Sequence, residues 1–356
     1  MKAVIIAGGL GTRLRPLTYN TPKPIVPVVN RPFVVHQIEH LVRHGVDEVI
    51  LNLHYLSHEI KKVLGNGSKW GIKIHYSIED HPLGTAGAVK NAEQFFDDEP
   101  MIVFNGDVLT DLNISKLVAF HKEKKARVTL TLTEVEDPTA FGLIVTDKDG
   151  RVKQFLEKPS WSMLETIEAR TINAGTYIVD PKIFKDIPQR EPHSFERELY
   201  PSLLEKRERI FGYLSHAYWL DIGNPQKYKE AHQAILRNEV AVKIKGARIK
   251  GKFWLGRDTH PDPSVSFVGP SIVGERVTIG KETEIGDYVV IGDNVHVGEQ
   301  CVLDRAIVWS GCKIGRHVTL NDCIIGYNCV IEDEVVVEHG AVIADSSVIK
   351  KGARIR

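Results

Sequence analysis

Residues 1–24, MKAVIIAGGLGTRLRPLTYNTPKP, decide how the N-terminal part of this chain folds. The apolar, β-branched run at residues 4–6 predicts a buried parallel strand. Three glycines, Gly8, Gly9 and Gly11, follow at once. Glycine lets a backbone approach an anion closely and aim several N–H groups at it. We therefore expect a phosphate-binding turn directly after the first strand.

Two cations accompany this turn, Arg13 and Lys23, and they supply the fixed positive charge that a triphosphate requires. Two better-known phosphate motifs do not fit the segment. The dinucleotide fingerprint requires a third glycine where Leu14 stands, and the Walker pattern requires a Gly-Lys-Ser/Thr that the sequence lacks. The turn therefore indicates another kind of nucleotide-binding protein.

The composition limits the possible partners. The chain has 356 residues, enough for two domains with separate cores, and its 46 Lys and Arg balance its 46 Asp and Glu. That balance gives no basic surface for nucleic acid.

No apolar run approaches the roughly 18 residues of a membrane span, and the apolar start is too short for a signal peptide. We expect a cytoplasmic protein that binds small molecules and copies of itself.

Strands and helices alternate through the first half of the chain. Pro32 and Gly45 bound a helix, a strand follows at residues 46–53, Thr85 can cap a later helix, and residues 101–105 form another buried strand. This alternation predicts an α/β fold with a doubly wound, mostly parallel sheet, whose ligands gather outside the carboxyl ends of the strands. Strands predominate from about residue 127 to 180, which predicts an antiparallel extension of that sheet.

The last third follows a different period. Aliphatic residues, mostly followed by glycine, recur every six positions. They are Val273, Ile279, Ile285, Ile291 and Val297, and then Ile325, Ile331, Val337 and Ile343. Hexapeptide spacing is typical of a parallel β-helix in which three units complete a coil. The register slips by one position after Leu303 and again after Leu320, which predicts irregular corners in a stack of about five coils.

The four cysteines, Cys301, Cys312, Cys323 and Cys329, all lie in this repeat region. Their spacings of 11, 11 and 6 follow the repeat and form no CxxC pair, so we interpret them as structural residues.

Two aspartates occupy positions that suit a metal ion. Asp107 follows the buried strand at residues 101–105, and Asp221 precedes a helix that Asn224 and Pro225 begin. One or two carboxylates together with substrate phosphates are the usual ligands of Mg²⁺. Asp111 leads into the next helix, and we interpret it as a solvated residue.

The N-terminal segment, read as GGxGTRLxPLT followed by TPKP, resembles the signature of the sugar nucleotidyltransferases, also called nucleoside-diphosphate-sugar pyrophosphorylases. The resemblance covers nearly the whole chain and extends to PLGTAGA, EKP, INAGTYI and WLDIG. It implies a Rossmann-like nucleotidyltransferase domain with a mixed sheet over residues 1–238. A linker over 239–264 and a left-handed β-helix over 265–356 would follow.

The resemblance also assigns the site residues and Mg²⁺ as cofactor. Arg13, Lys23 and Asp107 would carry catalysis, and Asp107 and Asp221 would hold the metal. Nucleotide contacts would come from Ala7, Gly8, Gly9, Gly11, Thr12, Arg13, Lys23, Gly84, Thr85 and Gly106. Sugar phosphate contacts would come from Gly142, Glu157, Lys158, Asn173 and Gly175.

The implied reaction joins a nucleoside triphosphate and a sugar 1-phosphate. The sugar phosphate is already ionised at neutral pH, so it can attack the α-phosphorus without a general base while pyrophosphate leaves. Charge neutralisation and alignment are what the protein must supply. The absence of any Ser/His/Asp or Cys/His cluster in the sequence agrees with this chemistry.

Several alternatives stay open at this point. The resemblance is strongest to two-domain mannose-1-phosphate guanylyltransferases, but NGD at residues 105–107 stands where those enzymes often read NSD. Thymidylyl-, uridylyl- and adenylyltransferases that use glucose 1-phosphate therefore remain candidates, as does a non-catalytic regulatory subunit. A β-helix acyltransferase would need a base from His296, His317 or His339, and no acceptor pocket is evident from the sequence.

Overall fold

The computed structural model of the chain describes residues 1–164, 167, 169–249 and 252–356. The described residues form two compact units. We call Met1–Leu10 with Gln37–Asp221 the sheet unit, and Gly11–His36 with Ile222–Arg356 the β-helix unit. The predicted domains, with boundaries at residues 238 and 264, are continuous in sequence. The two units are defined by packing instead, so residues 11–36 belong to the second unit. None of the helices described is long and apolar enough to span a membrane.

Short strands and helices alternate before residue 222, as predicted. The strands are β1 (Lys2–Ile6), β2 (Pro27–Val28), β3 (Arg31–Pro32), β4 (Glu48–Leu53), β5 (Lys73–Ile78), β6 (Met101–Asn105), β7 (Val108–Thr110), β8 (Val128–Glu134), β9 (Gly142–Thr146), β10 (Val152–Glu157), β11 (Thr171–Val179), β12 (Ile210–Leu214) and β13 (Trp219–Asp221). The helices are α1 (Phe33–Arg43), α2 (Ser57–Leu64), α3 (Gly84–Asn91), α4 (Ile114–Glu123), α5 (Trp161–Leu164), α6 (Tyr200–Glu205) and, beyond them, α7 (Pro225–Leu236).

The sheet unit is built on one mixed sheet of nine strands. Strands β6, β1, β4 and β5 are parallel neighbours, and β11 continues the sheet antiparallel to β6. Strand β11 then pairs with β8 and β9, β10 pairs with β9, and β12 pairs with β8. The sequence prediction of a parallel sheet with an antiparallel extension is therefore confirmed. Strand β1 lies between β4 and β6, so the glycine turn leaves the middle of the sheet.

The β-helix unit contains α7, the β2–β3 hairpin and the remaining strands. These strands are β14 (Ala247–Ile249), β15 (Phe253–Leu255), β16 (His260–Pro261), β17 (Ser266–Phe267), β18 (Ser271–Val273), β19 (Thr278–Ile279), β20 (Glu284–Ile285), β21 (Val290–Ile291), β22 (His296–Val297), β23 (Val302–Asp304), β24 (Ile307–Val308), β25 (Lys313–Ile314), β26 (Thr319–Asn321), β27 (Ile324–Ile325), β28 (Val330–Ile331), β29 (Val336–Val337), β30 (Val342–Ile343), β31 (Val348–Ile349) and β32 (Arg354–Ile355).

From β15 onward, each strand pairs in parallel with the third strand after it. The strands therefore form three parallel sheets, which are the three sides of a β-helix. All nine residues of the predicted six-residue repeat lie in its core, and so do the four cysteines, which are free thiols. Residue 278 pairs with residue 296, 18 positions on, whereas residue 290 pairs with residue 307, 17 positions on. The shorter coils account for the predicted slips after Leu303 and Leu320.

The β-helix begins earlier than its repeat indicates. Strand β15 pairs with β18, and β16 pairs with β19, so both strands belong to the first coil. Both lie inside the segment predicted as a linker, residues 239–264. The difference arises because glycine, proline and charged residues interrupt this coil, so its aliphatic period cannot be recognised. Leu255, which pairs with the core residue Val273, occupies the interior position of β15.

Candidate active site

The glycine turn leaves β1 between two neighbouring strands. The Ala7 amide donates to the Asn52 carbonyl, and the Gly106 amide donates to the Ile6 carbonyl. A Cβ on Gly106 would lie 2.5 Å from the Ile6 oxygen, so no larger residue fits there without a backbone shift. This close approach gives a physical reason for glycine in NGD. It also places Gly8, Gly106 and Asp107 in the sheet unit near the carboxyl ends of β1 and β6.

A buried carboxylate lies against this turn, and the sequence analysis did not identify it. Glu79 follows β5 and is 6 % exposed. A Cβ on Gly8 would lie 3.1 Å from its Oε1, while its Oε2 accepts the Leu83 amide at 3.1 Å. Among the described residues, Oε1 has no hydrogen-bond partner. Burial raises the pKa of Glu79, because a carboxylate loses hydration there.

The segment that contains two of the predicted nucleotide contacts, Gly84 and Thr85, begins helix α3. Gly84 is its first residue, and the Ala86 and Gly87 amides donate to the His193 carbonyl at 2.9 and 3.0 Å. The prediction that Thr85 caps this helix is wrong. Its hydroxyl donates to Glu196 Oε2 at 2.9 Å and accepts the Phe195 amide, so it joins α3 to a distant segment instead.

The two metal-binding candidates lie on paired segments of the sheet unit. Strand β13 runs antiparallel to β7, and its register sets Asp221 opposite Val108, the residue after Asp107. Opposed residues in such a pair have Cα atoms roughly 5 Å apart. Asp111 Oδ1 accepts the Tyr218 amide at 2.8 Å, which helps to fix the same pair of strands. The predicted solvated residue is thus exposed but also structural.

A divalent cation fits this pair of aspartates chemically. Both are only partly exposed; Asp107 lies between β6 and β7, and Asp221 is the last residue of β13. No group of three or more His, Cys, Asp or Glu side chains suited to a metal occurs in the described part of the chain. A site with two protein carboxylates agrees with Mg²⁺, which takes its remaining ligands from water and substrate phosphates.

Two of the predicted sugar contacts lie opposite each other. Gly142 begins β9 and pairs with Glu157 at the end of β10. Burial raises the pKa of Glu157, and the nearby Glu196 carboxylate raises it further. Lys158 follows directly, with an exposed side chain and a backbone amide that donates to the Phe141 carbonyl at 2.9 Å.

The other predicted sugar contacts lie on a bulge of β11. The pairing of β11 with β8 shifts register between Asn173 and Tyr177. Gly175 sits inside this bulge at φ 71°, and a Cβ there would meet Asn105 Nδ2 at 2.7 Å. Asn173 Oδ1 accepts the Gly175 amide at 3.0 Å, while its Nδ2 donates to the Tyr177 hydroxyl at 2.9 Å. Both ends of the Asn173 amide are therefore oriented by the protein.

The remaining loop residues belong to the β-helix unit. Gly11 has φ 63° and precedes a 3₁₀ turn, Thr12–Leu14, that exposes Thr12 and Arg13. The Thr18 hydroxyl donates to the Gly11 carbonyl at 2.7 Å. Lys23 begins a second 3₁₀ turn, Lys23–Ile25, and its Cβ lies 3.2 Å from an ideal Cβ on Gly11. The two predicted cations are thus in one unit on adjacent turns.

The structure therefore divides the predicted site residues between its units. The sheet unit contains Ala7, Gly8, Gly9, Gly84, Thr85, Gly106, Asp107, Gly142, Glu157, Lys158, Asn173, Gly175 and Asp221. The β-helix unit contains Gly11, Thr12, Arg13 and Lys23.

The β-helix histidines lie on its surface. His296 is exposed and its Nδ1 hydrogen-bonds the Thr278 hydroxyl at 2.5 Å, while His317 and His339 are also exposed. Nothing in the geometry of these three residues favours an acyltransferase.

Comparison with known proteins finds matches to both parts of the chain. The nucleotidyl transferase family matches residues 2–238, and the GMPPB C-terminal domain family matches residues 267–356. The mannose-1-phosphate guanylyltransferase catalytic subunit beta of Xenopus tropicalis is 34 % identical over 98 % of this chain and 92 % of its own length. The mannose-1-phosphate guanylyltransferase of Mycobacterium tuberculosis is 36 % identical over 79 % of this chain and 77 % of its own.

A solved structure agrees with these relatives. The crystal structure of HddC from Yersinia pseudotuberculosis complexed with GMP-PN has a TM-score of 0.55 and 33 % identity, and the match covers 65 % of this chain and 97 % of that one. The family match spans most of the sheet unit and the loop that carries Arg13 and Lys23. This chain belongs to the nucleotidyl transferase family.

Proposed function

We propose that this enzyme transfers a guanylyl group from GTP to mannose 1-phosphate, giving GDP-mannose and pyrophosphate. The observation that carries the choice of base is the buried Glu79 carboxylate beside Gly8, whose Oε1 has no partner among the described residues. The names of the guanylyltransferase relatives support the choice of sugar.

A carboxylate suits guanine better than the other bases. Guanine carries two adjacent donors, N1–H and the N2 amino group, and a carboxylate is an acceptor only. Uracil and thymine present one donor between two acceptors, and adenine presents an acceptor at N1. A buried group left without its partner costs free energy, so the wrong base would be rejected by the desolvated carboxylate.

The proposed site residues would each have a chemical role. Arg13 and Lys23 would neutralise triphosphate oxygens, and turn amides after β1 would orient them. Asp107 and Asp221 would hold Mg²⁺, which supplies positive charge at the phosphates when it is bound. Asn173 would hold sugar hydroxyls, since its amide is fixed by Tyr177 and the Gly175 amide. Glu157 and Lys158 would bind the sugar and its phosphate.

One assay matrix tests this proposal. Pyrophosphate release should be measured with GTP, ITP, ATP, UTP and dTTP against mannose 1-phosphate and glucose 1-phosphate. GTP with mannose 1-phosphate should be preferred, and ITP, which lacks the N2 amino group, should lose roughly tenfold or more in kcat/KM. Preference for dTTP or UTP with glucose 1-phosphate would replace the proposed substrates. No turnover with any pair would instead favour a regulatory subunit.

The Glu79→Gln variant isolates the base contact. It should lower kcat/KM for GTP by about a hundredfold and reduce the GTP to ITP ratio, because an amide presents a donor where guanine needs an acceptor. Asp80→Asn is the matched control, since Asp80 is the exposed carboxylate next in sequence. Equal effects of the two variants would show that Glu79 does not read the base.

We further propose that the enzyme is a cytoplasmic homo-oligomer assembled through the β-helix. The four buried free thiols suit a reducing compartment. Strands β31 and β32 leave the apolar residues Ile349 and Ile355 only partly buried, and stacked coils need a cap or a partner at their ends. Light scattering of the purified chain tests this, and a monomer would contradict it.

A further inference from the structure

The loop that carries Arg13 and Lys23 packs with the β-helix. Segment 11–36 belongs to the β-helix unit, although it follows strand β1 of the sheet unit directly in sequence. Two side-chain contacts hold its hairpin, β2–β3, to later parts of that unit. Asn30 Nδ2 donates to the Ile291 carbonyl in β21 at 2.6 Å, and the buried Arg31 donates from Nη1 to the Lys243 carbonyl at 2.9 Å.

A third contact passes through helix α7. The Tyr228 hydroxyl donates to the Pro27 carbonyl at the start of β2. Trp309 Nε1, from the β-helix, donates to the same hydroxyl at 3.0 Å. Both side chains are almost completely buried, at 0 % and 2 % exposed. This chain of two hydrogen bonds runs from the β-helix to the loop segment.

Helix α7 itself is fixed to the β-helix. Lys229 Nζ lies 2.6 Å from Asp322 Oδ1, and the Lys229 side chain is 5 % exposed. A buried ion pair of this kind sets geometry more than it adds stability. Tyr228, the preceding residue, is therefore held at a defined distance from Trp309.

The hairpin that receives these contacts is in an unfavourable backbone conformation. Val29 and Asn30 form its two-residue turn with φ of 45° and 62°. Asparagine tolerates this left-handed region, whereas a β-branched valine rarely adopts it. Such strain persists only where the surroundings impose it, and it is common at functional sites. Val29 is fully buried, so packing imposes the turn.

The hairpin connects to Lys23 through a short and rigid path. Pro22 and Pro24 flank Lys23, and the Ile25 amide donates to the Pro22 carbonyl at 2.9 Å. The Val26 amide donates to the Lys23 carbonyl at 3.2 Å. Only three residues lie between Lys23 and Pro27, whose carbonyl accepts a hydrogen bond from the Tyr228 hydroxyl. A displacement of Pro27 would therefore be transmitted to Lys23.

We propose that Tyr228 and Trp309 are positioning residues for Lys23, so that the β-helix sets the geometry of triphosphate binding as well as assembling the protein. This rests on the proposed function, in which Lys23 contacts triphosphate oxygens. Neither residue is among the proposed substrate contacts. Their effect should appear in the parameters of the nucleotide and not in those of the sugar phosphate.

The test compares two variants that each lose a hydroxyl, at Tyr228 and at Tyr327. Both tyrosines contact Trp309. Tyr228→Phe removes the bond to Pro27, whereas Tyr327→Phe keeps the loop contacts, since the Tyr327 ring only packs on Trp309 at 4.7 Å between ring centroids. In full-length protein, Tyr228→Phe should lower kcat/KM for GTP by about tenfold and leave KM for mannose 1-phosphate within roughly twofold. Tyr327→Phe should stay near wild type. Trp309→Phe, which keeps an aromatic ring, should lower kcat/KM for GTP by roughly threefold to fivefold.

A double-mutant cycle identifies the residue through which Tyr228 acts. In a Lys23→Ala background, Tyr228→Phe should change kcat/KM by less than about twofold, because the group that it positions is gone. Multiplicative effects of the two substitutions would overturn the proposal, and so would equal effects of Tyr228→Phe and Tyr327→Phe. A wild-type chain that turns over no triphosphate would instead refute the proposed function.

Discussion

The nine-stranded sheet and the β-helix both bury aliphatic side chains, but they relate sequence to space differently. In the sheet unit, neighbours come from distant parts of the chain: β1 lies beside β6 in the nine-stranded sheet, and Asp221 lies opposite Val108 in the smaller β7–β13 pair. In the β-helix, each strand pairs with the strand one coil away. Chemically diverse groups therefore meet where sheet strands end, whereas the β-helix brings together copies of one pattern. Most of the proposed site residues lie in the sheet unit, whereas the β-helix supplies a regular scaffold.

Lowering the pH should destabilise the two units by different amounts, and this is the largest of the expected effects. Burial lowers the pKa of His40 and His121, in the sheet unit, and of His232, in the β-helix unit, to about 4. The unfolded chain binds these protons near pH 6.5, so stability falls as pH falls from there towards 4. At pH 5 each histidine costs about 2 kcal/mol, so the sheet unit loses about 4 and the β-helix unit about 2 kcal/mol.

Hydrogen exchange at pH 7.5 and pH 5 measures this difference unit by unit, once intrinsic rates are corrected. His58→Gln is the control, because the His58 side chain is 72 % exposed and the substitution removes no buried imidazole. Equal loss of protection in both units would contradict the assignment of the buried histidines.

Two equivalent core deletions should differ in how far their effect spreads. Leu303→Ala in β23 and Leu130→Ala in β8 each remove a fully buried side chain, and each should cost about 3 kcal/mol. Stacked coils contact only their neighbours, so Leu303→Ala should reduce amide protection mainly in the coils around β20 and β26. Leu130→Ala should weaken the whole sheet unit. Uniform loss of protection in the Leu303→Ala variant would show that the β-helix unfolds as a single block.

The same comparison explains which features of the molecule can be predicted from its sequence. The repeat at Val273 to Ile343 and the strand before Gly8 are local patterns, and the structure confirms both. Glu79 has no local pattern, because a single carboxylate after a strand is ordinary until Gly8 is brought beside it. The bond from Tyr228 to Pro27 spans 201 positions and has no period at all. Long-range contacts between single polar groups could not be predicted from the sequence.

Asp107→Asn tests the chemistry at the sheet edge. Removing this charge should lower turnover by on the order of a hundredfold, since preorganised electrostatic stabilisation is lost while the backbone stays fixed. Asp111→Asn is the matched control, because its remaining Oδ1 can still accept the Tyr218 amide. Initial rates at saturating Mg²⁺ make the comparison. Near-normal turnover of Asp107→Asn would remove it from the catalytic group.

Substitutions of Asp221 and Glu157 should have smaller effects, one on the Mg²⁺ requirement and the other on KM for the sugar phosphate. Asp221 lies opposite Val108 on β7, while Glu157 ends β10 opposite Gly142. Mg²⁺ gives up its waters reluctantly and depends on each carboxylate, so Asp221→Ala should raise the Mg²⁺ concentration for half-maximal rate by about tenfold. Its KM for mannose 1-phosphate should change little.

Glu157→Ala should do the reverse, because an acceptor of sugar hydroxyls is lost and no metal ligand is removed. Its KM for mannose 1-phosphate should rise by about tenfold, or roughly 1.4 kcal/mol, at an unchanged Mg²⁺ requirement. Titrations of both ligands on both variants form the complete test, and each variant serves as the control for the other. If both variants shift the Mg²⁺ requirement alike, Asp221 has no special role at the metal, and Asp107 must share the ion with another group.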